Sequence, residues 1–128
     1  MEQGPCLRHA PRPRSGLDTE LPLGALPGLC RALAAELVSV VVELPGPEGW
    51  CAATVHHPLH ALELIDEPPA SAWIVQRPGC GGLITRLVLL DRHGELVASI
   101  VPRGAPGEPE PIAWRVQLLV SIVGSRAA

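Results

Sequence analysis

The sequence predicts an α+β fold, in which an antiparallel β meander of about six strands is flanked by an N-terminal and a C-terminal helix. Three observations support this prediction. Apolar residues recur at helical spacing towards both ends of the chain, short apolar and β-branched runs fill its middle, and turns rich in proline and glycine separate those runs. The 128 residues suit a single domain with its own core.

The first 21 residues are interpreted as a flexible tail, and residues 22–128 as the domain. The tail is rich in proline and arginine and has no apolar run of the length that a signal peptide needs. From Pro22 onward the chain becomes apolar, and four leucines at intervals of three and four residues predict the first helix. They are Leu26, Leu29, Leu33 and Leu37.

The middle of the chain changes from a helical to a strand period where four valines occur between residues 38 and 42. Pro45–Gly49 and Asp91–Gly94 have turn compositions and predict hairpins. A further hairpin is expected through the prolines at 68 and 69. The six predicted strands are Val38–Leu44, Trp50–Val55, His60–Asp66, Ser71–Arg77, Leu83–Leu90 and Glu95–Val101.

The closing helix has two apolar stripes about half a turn apart. One contains Ile112, Val116, Leu119 and Val123, and the other contains Trp114, Leu118 and Ile122. A helix that is apolar on more than one side is covered by more than one neighbour. We therefore expect a homodimer that uses the same patch twice.

Composition and motifs exclude several classes of function. A formal net charge of −3 and a pI near 5.9 argue against nucleic acid as the main partner. No stretch approaches the ~20 apolar residues of a membrane-spanning helix, so no membrane insertion is expected. The sequence contains no phosphate-binding loop, no H-E-x-x-H and no G-x-S-x-G, and its four cysteines form no C-x-x-C pair. Without a secretion signal, a cytoplasmic location with reduced thiols is the expectation.

Four groups of residues, in order along the chain, carry a family resemblance. They are Trp73–Pro78, Leu90–Glu95, Arg103–Glu110 and Trp114-Arg115. In order and spacing they resemble the C-terminal part of the bacterial cytosolic haem-utilisation family, which contains haemin-degrading and haem-carrier proteins. The resemblance implies a haem-binding protein, an intracellular carrier in haem and iron utilisation. It also implies a homodimer, because larger relatives look like two such units in one chain.

The chain departs from that family at positions where a histidine is expected. Val97-Ala98-Ser99 follows the turn after which haem-binding halves carry a histidine, and Glu63 lies between two leucines where another is expected. If the chain binds haem, residues other than these family histidines must hold it. The alternative is a divergent, ligand-free dimeric interaction or scaffold domain. Enzymatic haem degradation ranks third, so enzyme activity stays open.

His56, His57 and His60 form the main cluster of metal-competent side chains. Imidazole is a good ligand for haem iron, so all three are candidate haem and metal ligands. The alternative is a polar loop with solvated histidines. Cys80, among glycines, is a weaker candidate as a thiolate ligand.

Arg77 is the candidate for pairing with the haem propionates, because it ends a strand beside the glycine-rich loop 79–82. Its alternative role is an ion pair with a neighbouring carboxylate. Arg86 is a second, weaker candidate. Arg103 and Arg115 are expected to pair with Glu108 or Glu110.

Overall fold

The structure, a computed structural model, describes residues 12–14, 16–46, 49–79, 82–104 and 108–127. Its strands are β1 (Thr19–Leu21), β2 (Val40–Gly46), β3 (Gly49–Val55), β4 (Ser71–Gly79), β5 (Gly82–Leu90) and β6 (Leu96–Pro102). Its α-helices are α1 (Leu26–Ala35), α2 (Leu59–Glu63) and α3 (Ile112–Ala127), and one 3₁₀ turn covers Leu23–Ala25. The predicted α+β class, a six-stranded antiparallel sheet with helices near both ends of the chain, is confirmed.

The order of strands across the sheet is β1-β4-β5-β6-β2-β3. The hairpins β2–β3, β4–β5 and β5–β6 are those that the sequence predicts. The chain crosses the sheet between β3 and β4, however, so that β6 pairs with β2 through Val40↔Pro102 to Glu43↔Ser99. This long-range pairing joins the first hairpin to the later three-stranded meander.

The predicted strand at His60–Asp66 is wrong, and with it the hairpin that was expected to follow. Leu59–Glu63 forms the short helix α2 instead. Pro58 has helical angles, φ −55° and ψ −25°, and it is the N-cap residue of α2. Proline is well tolerated where a helix starts, because the first amides have no intrahelical acceptor. Ala61 of α2 is buried in the core, which fixes the helix on the sheet.

The sheet still has six strands, because Thr19–Leu21 forms β1. These residues lie in the part of the chain that the sequence assigns to the tail. The strand β1 pairs with β4 through Thr19↔Ile74, Glu20↔Trp73 and Leu21↔Ala72. Leu21 is only 1% exposed. Residues 1–11 lie outside the described residues, so the division into a tail and a domain stays a prediction.

The helix α1 ends at Ala35, two residues before the last leucine of the predicted stripe. Leu37 has φ 60° and is 90% exposed, outside the stripe that includes the buried Leu29 and Leu33. The Val38 N–H donates to the Leu33 carbonyl at 3.0 Å, and the Leu37 N–H donates to the Ala34 carbonyl at 3.0 Å. These two bonds form a Schellman motif, which satisfies the last carbonyls of the helix and turns the chain into β2.

The helices pack on one face of the sheet and bury an aliphatic core around Trp114 of α3. The core also includes Leu29 and Leu33 of α1, Val40 and Val42 of β2, Leu87 and Leu89 of β5, and Ile100 of β6. Trp114 is fully buried, and its Nε1 donates to the Thr85 carbonyl at 3.0 Å. Glu110 accepts the Thr85 N–H at 2.8 Å and the Thr85 hydroxyl at 2.6 Å, so the segment before α3 is bound directly to β5. Within the part of the chain that the structure describes, no helix is long and apolar enough to span a membrane.

The opposite face of the sheet carries a buried ion pair. Glu43 and Ser99 are register partners, Ser99 pairs with Val88, and Arg86 lies two residues before Val88, so all of them project from that face. Arg86 Nη1 contacts Glu43 Oε1 at 2.5 Å and Ser99 Oγ at 3.2 Å. The Arg86 and Glu43 side chains are each 5% exposed. Because Arg86 is used here, it is not a candidate for a haem propionate.

Replacing Arg86 by methionine is expected to lower the free energy of unfolding by about 3–5 kcal/mol, because Glu43 would keep a buried charge without its ion-pair partner. The double variant Arg86→Met/Glu43→Leu should be clearly more stable than Arg86→Met, since it removes both charges. Urea denaturation of the two single variants and the double variant measures this coupling. Additive losses in the double variant would show that the two side chains are not coupled.

Candidate functional site at the ends of strands β2, β3 and β6

Three neighbouring strands end together on one side of the sheet. Val40 is the register partner of Val55 on one side and of Pro102 on the other. Three residues flank these strand ends directly: Ser39 precedes β2, His56 follows β3 and Arg103 follows β6. The Arg103 N–H donates to the Ser39 carbonyl at 2.9 Å, and Ser39 Oγ lies 3.3 Å from His56 Nδ1.

His57 directly follows His56, and His60 lies in the helix α2. The Leu59 N–H donates to His57 Nδ1 at 3.3 Å, and the His60 N–H donates to the His57 carbonyl at 2.8 Å. The rings of His57 and His60 have centroids 5.3 Å apart and are tilted by 33°. The structure therefore brings the rings of His57 and His60 close together, and all three predicted histidines are exposed. We call this set, Ser39, His56, His57, His60 and Arg103, the strand-end site.

The hydrogen bonds distinguish the three imidazoles as ligands. The Nδ1 lone pair of His57 accepts the Leu59 N–H, so the proton of the neutral ring is on Nε2 and the ring has no other lone pair for a metal. His56 has a lone pair on Nε2 only when its Nδ1–H donates to the Ser39 hydroxyl. Among the described residues, no group hydrogen-bonds to either ring nitrogen of His60, which makes its imidazole the most available of the three.

The strand-end site has too few protein ligands for a structural metal centre. Among the residues that the structure describes, no group of three or more His, Cys, Asp and Glu side chains is placed to hold a metal ion. A structural zinc site takes four protein ligands. Cys80, the thiolate candidate, lies outside the described residues.

Arg77 is separated from the histidines. It lies on β4, four strands away from β3, which corresponds to about 19 Å at ~4.8 Å per strand. Its guanidinium forms a bidentate ion pair with Asp18, with Nη1–Oδ1 and Nη2–Oδ2 distances of 2.7 and 2.9 Å. The Asp18 side chain is 1% exposed and that of Arg77 is 25% exposed. This ion pair joins β4 to the residue just before β1.

Sequence reasoning missed the role of Ser39 and the position of Arg103. Arg115 pairs with Glu110 as expected, with Nε and Oε2 2.6 Å apart. The Arg103 side chain, in contrast, is exposed and forms no ion pair with any described residue. The signal that places Arg103 beside Ser39 is the pairing of β2 with β6, which joins segments about 60 residues apart.

The fold and the site define a class of protein: an antiparallel sheet with helices on one face and exposed imidazoles at one end of its strands. No family model matches the sequence, and no curated protein matches it. Solved structures do match. The heme-binding protein PhuS from Pseudomonas aeruginosa, in its apo form, is similar with a TM-score of 0.64 and 20% identity over 81% of this chain and 34% of PhuS.

Two further structures have the same fold. The E. coli heme oxygenase ChuS matches with a TM-score of 0.63 and 17% identity over 86% of this chain and 38% of ChuS. ChuX matches with a TM-score of 0.65 and 8% identity over 88% of this chain and 79% of ChuX. The chain thus spans little more than a third of the length of PhuS and ChuS but most of ChuX. The resemblance to bacterial haem-utilisation proteins is confirmed for the fold.

Replacing Asp18 by asparagine is expected to lower the free energy of unfolding at pH 7 by about 1–2 kcal/mol, after allowance for the partial exposure of Arg77. The hydrogen bonds from Arg77 hold the pKa of the Asp18 carboxyl below its ordinary value. The carboxylate therefore stabilises the fold fully above its unfolded pKa near 4, and this contribution is lost as the pH falls through the lower folded pKa.

Urea denaturation of wild type and Asp18→Asn from pH 7 to pH 3 measures this difference, with Asp66→Asn as the control at an exposed carboxyl. The gap between wild type and Asp18→Asn should shrink as the solution is acidified. A gap of constant size would mean that the Asp18 charge does not contribute.

Proposed function

We propose that this chain binds haem and acts as an intracellular, cytoplasmic haem carrier in haem and iron utilisation. The observation that carries the proposal is the exposed imidazole of His60, which has no hydrogen-bond partner among the described residues and lies in a cluster of three histidines. The fold, shared with PhuS, ChuS and ChuX, supports the proposal.

The donor set of the strand-end site fits haem. A porphyrin supplies four nitrogen ligands to iron, so the protein needs to add only one or two axial ligands, and imidazole is a common one. His60 offers an available imidazole, and His56 offers a second one when its Nδ1–H donates to the Ser39 hydroxyl. These two imidazoles meet that need. Haem would supply the redox and oxygen chemistry of its iron when bound.

The three histidines have different roles in this proposal. His60 would hold the haem iron. His56 is the second candidate, oriented by the hydroxyl of Ser39. His57 positions α2, because its Nδ1 accepts the Leu59 N–H near the start of the helix. The exposure of the cluster favours a carrier, since transfer of haem to another protein requires access to the ligand. Among the three functions considered, enzymatic haem degradation stands third, after the haem carrier and the ligand-free scaffold.

In this proposal Arg77 does not contact the haem that the histidines bind. Contact of Arg77 with a propionate would require the Asp18 carboxylate to be displaced from a bidentate pair, about four strand spacings away from His56.

The His60→Ala variant is expected to lose saturable haemin binding, or to bind with a Kd raised by about tenfold or more, because the ring with the most available lone pair is removed. His57→Ala should change the Kd less than His60→Ala. Titration of the purified protein with haemin, followed in the Soret band, measures both. His93→Ala is the matched control, since His93 is exposed in the β5–β6 turn at the other end of the sheet.

Weak, non-saturating absorbance changes that are the same in wild type and in all histidine variants would contradict haem binding. Loss of binding only in His56→Ala would retain the carrier and assign the ligand to His56.

A second candidate function is a ligand-free dimeric interaction or scaffold domain, and one observation favours it. The outer side of α3 is a continuous apolar stripe, in which the exposed fractions of Ile112, Val116, Leu119, Val120 and Val123 range from 45% to 78%. The opposite stripe is buried at Trp114 and Leu118, as the two-stripe pattern predicts. We propose that the exposed stripe joins two copies of the chain in a homodimer, in which each copy uses the same surface.

The Leu119→Glu variant is expected to be a monomer under conditions in which the wild type is a dimer, because a twofold interface would bury the introduced charge twice. A cost of at least about 2 kcal/mol corresponds to a dimer Kd raised about 30-fold. Sedimentation equilibrium measures it. Leu37→Glu is the control, since Leu37 is also exposed but lies far from α3 in sequence. A wild type that is monomeric at high concentration would contradict the homodimer.

A further inference from the structure

The strand β3 forms one edge of the sheet. Among the described residues it pairs only with β2, so its other side presents backbone N–H and C=O groups to no neighbouring strand. At the edge of an antiparallel sheet, every second residue directs both of these groups outward. Such an edge can accept a further strand, because the added strand satisfies these groups with ladder hydrogen bonds.

This edge lacks the features that commonly protect an edge strand from pairing, which are charged side chains, proline and β-bulges. Gly49–Val55 contains no charged residue and no proline. Its register with β2 runs without a shift from Gly46↔Gly49 to Val40↔Val55, so no bulge turns it away from a partner. The opposite edge of the sheet differs, because β1 has only three residues and includes Glu20. Of the two edges, β3 is therefore the one that is open to another strand.

The sequence of β3 is complementary to itself. In an antiparallel pair centred on Ala52, all seven residues of one copy face a residue of the other copy. Because the strand has no charged side chain, no like charges meet across this pair. Apart from Ala52, which faces its own equivalent, each opposite pair combines a larger side chain with a smaller one. These pairs are Trp50 with Thr54, Cys51 with Ala53, and Val55 with Gly49.

We propose that β3 pairs with β3 of a second copy of this chain, antiparallel and centred on Ala52. Opposite residues of an antiparallel pair project from the same face, so the twofold axis is normal to the sheet at Ala52. The two sheets then join into one continuous sheet, with the helices of both copies on the same side. This interface uses no residue of the exposed stripe of α3, and it does not depend on haem binding.

Disulfide trapping tests both the pairing and its register. In this register the two Ala52 residues are direct partners, and direct partners have Cα atoms about 4.5–5.5 Å apart, a distance that a disulfide can bridge. The Ala52→Cys variant, oxidised with copper phenanthroline in air, should therefore give a covalent dimer on a non-reducing gel. The background Cys6→Ser/Cys51→Ser/Cys80→Ser leaves only Cys30, which is buried.

Thr54→Cys in the same background is the matched control. Thr54 is exposed on the same face of β3 as Ala52, but in the proposed register it lies opposite Trp50. The two Thr54 residues are then four positions apart along the ladder, about 14 Å at ~3.4 Å per residue, so no disulfide should form. Both variants also carry Leu119→Glu, so that association through α3 does not bring the cysteines together.

A pair of charge variants tests the same contact without oxidation. Ala52→Glu places two carboxylates directly opposite each other and should abolish association through β3, and Ala52→Arg should do the same with two guanidinium groups. An equimolar mixture of the two variants places opposite charges together and should restore the dimer. Because a single strand pair buries little surface, the readout is sedimentation equilibrium, with Leu119→Glu present, at higher concentrations than the test of α3 uses.

A cross-link in Ala52→Cys but not in Thr54→Cys, with association recovered only in the charge mixture, supports the inference. Equal cross-linking of both cysteine variants would overturn it, because random collision would then bring the thiols together. Absence of a cross-link in both would also overturn it, since the edge would then be unpaired or would pair with an extended segment of another protein. An Ala52→Glu variant that associates by itself as strongly as its parent would contradict the proposed register.

Discussion

The pairing of β2 with β6 is the interaction on which the rest of the molecule depends. It joins a hairpin from the first half of the chain to a meander from the second half, and without it the two would be separate small sheets. The same pairing places Glu43 beside Ser99, so that Arg86 reaches a buried carboxylate from β5. It also aligns Ser39 between His56 and Arg103. One long-range register therefore determines both the least exposed ion pair among the described residues and the candidate binding site.

The strand-end site illustrates how local hydrogen bonds decide which histidine is available to a ligand. A neutral imidazole has one lone pair, and His57 uses it for the amide of Leu59 at the start of a five-residue helix. A helix of that length has little intrinsic stability, so the cap has structural value. Metal binding at His57 would compete with that cap, whereas metal binding at His60 would not. Of the two adjacent rings, His60 therefore has the more available imidazole.

Sequence alone was sufficient for elements whose signals are local. The sequences between β2 and β3 and between β5 and β6 are typical of turns, and the two stripes of α3 have helical periodicity. The structure contains both hairpins and the helix. Sequence alone was insufficient for elements whose structure depends on tertiary contacts. Alternation at His60–Asp66 predicts a strand, but Pro58 starts a helix there and Ala61 packs in the core. The residues of β1 have weak signals by themselves and become a strand only because β4 provides an edge. Arg103 and His56 lie on either side of Ser39 only because β2 pairs with both β6 and β3.

The two candidate functions place different demands on the same chain. A scaffold needs only the exposed stripe of α3, which lies on the helix-covered side of the sheet. A carrier needs the strand-end site, which is built from β2, β3, β6 and α2 and includes no residue of α3. The two surfaces share no residue, so a homodimer formed through α3 would not use any residue of the strand-end site. The two proposed functions therefore depend on different residues, and the ligand chemistry of the histidines distinguishes a carrier from a scaffold.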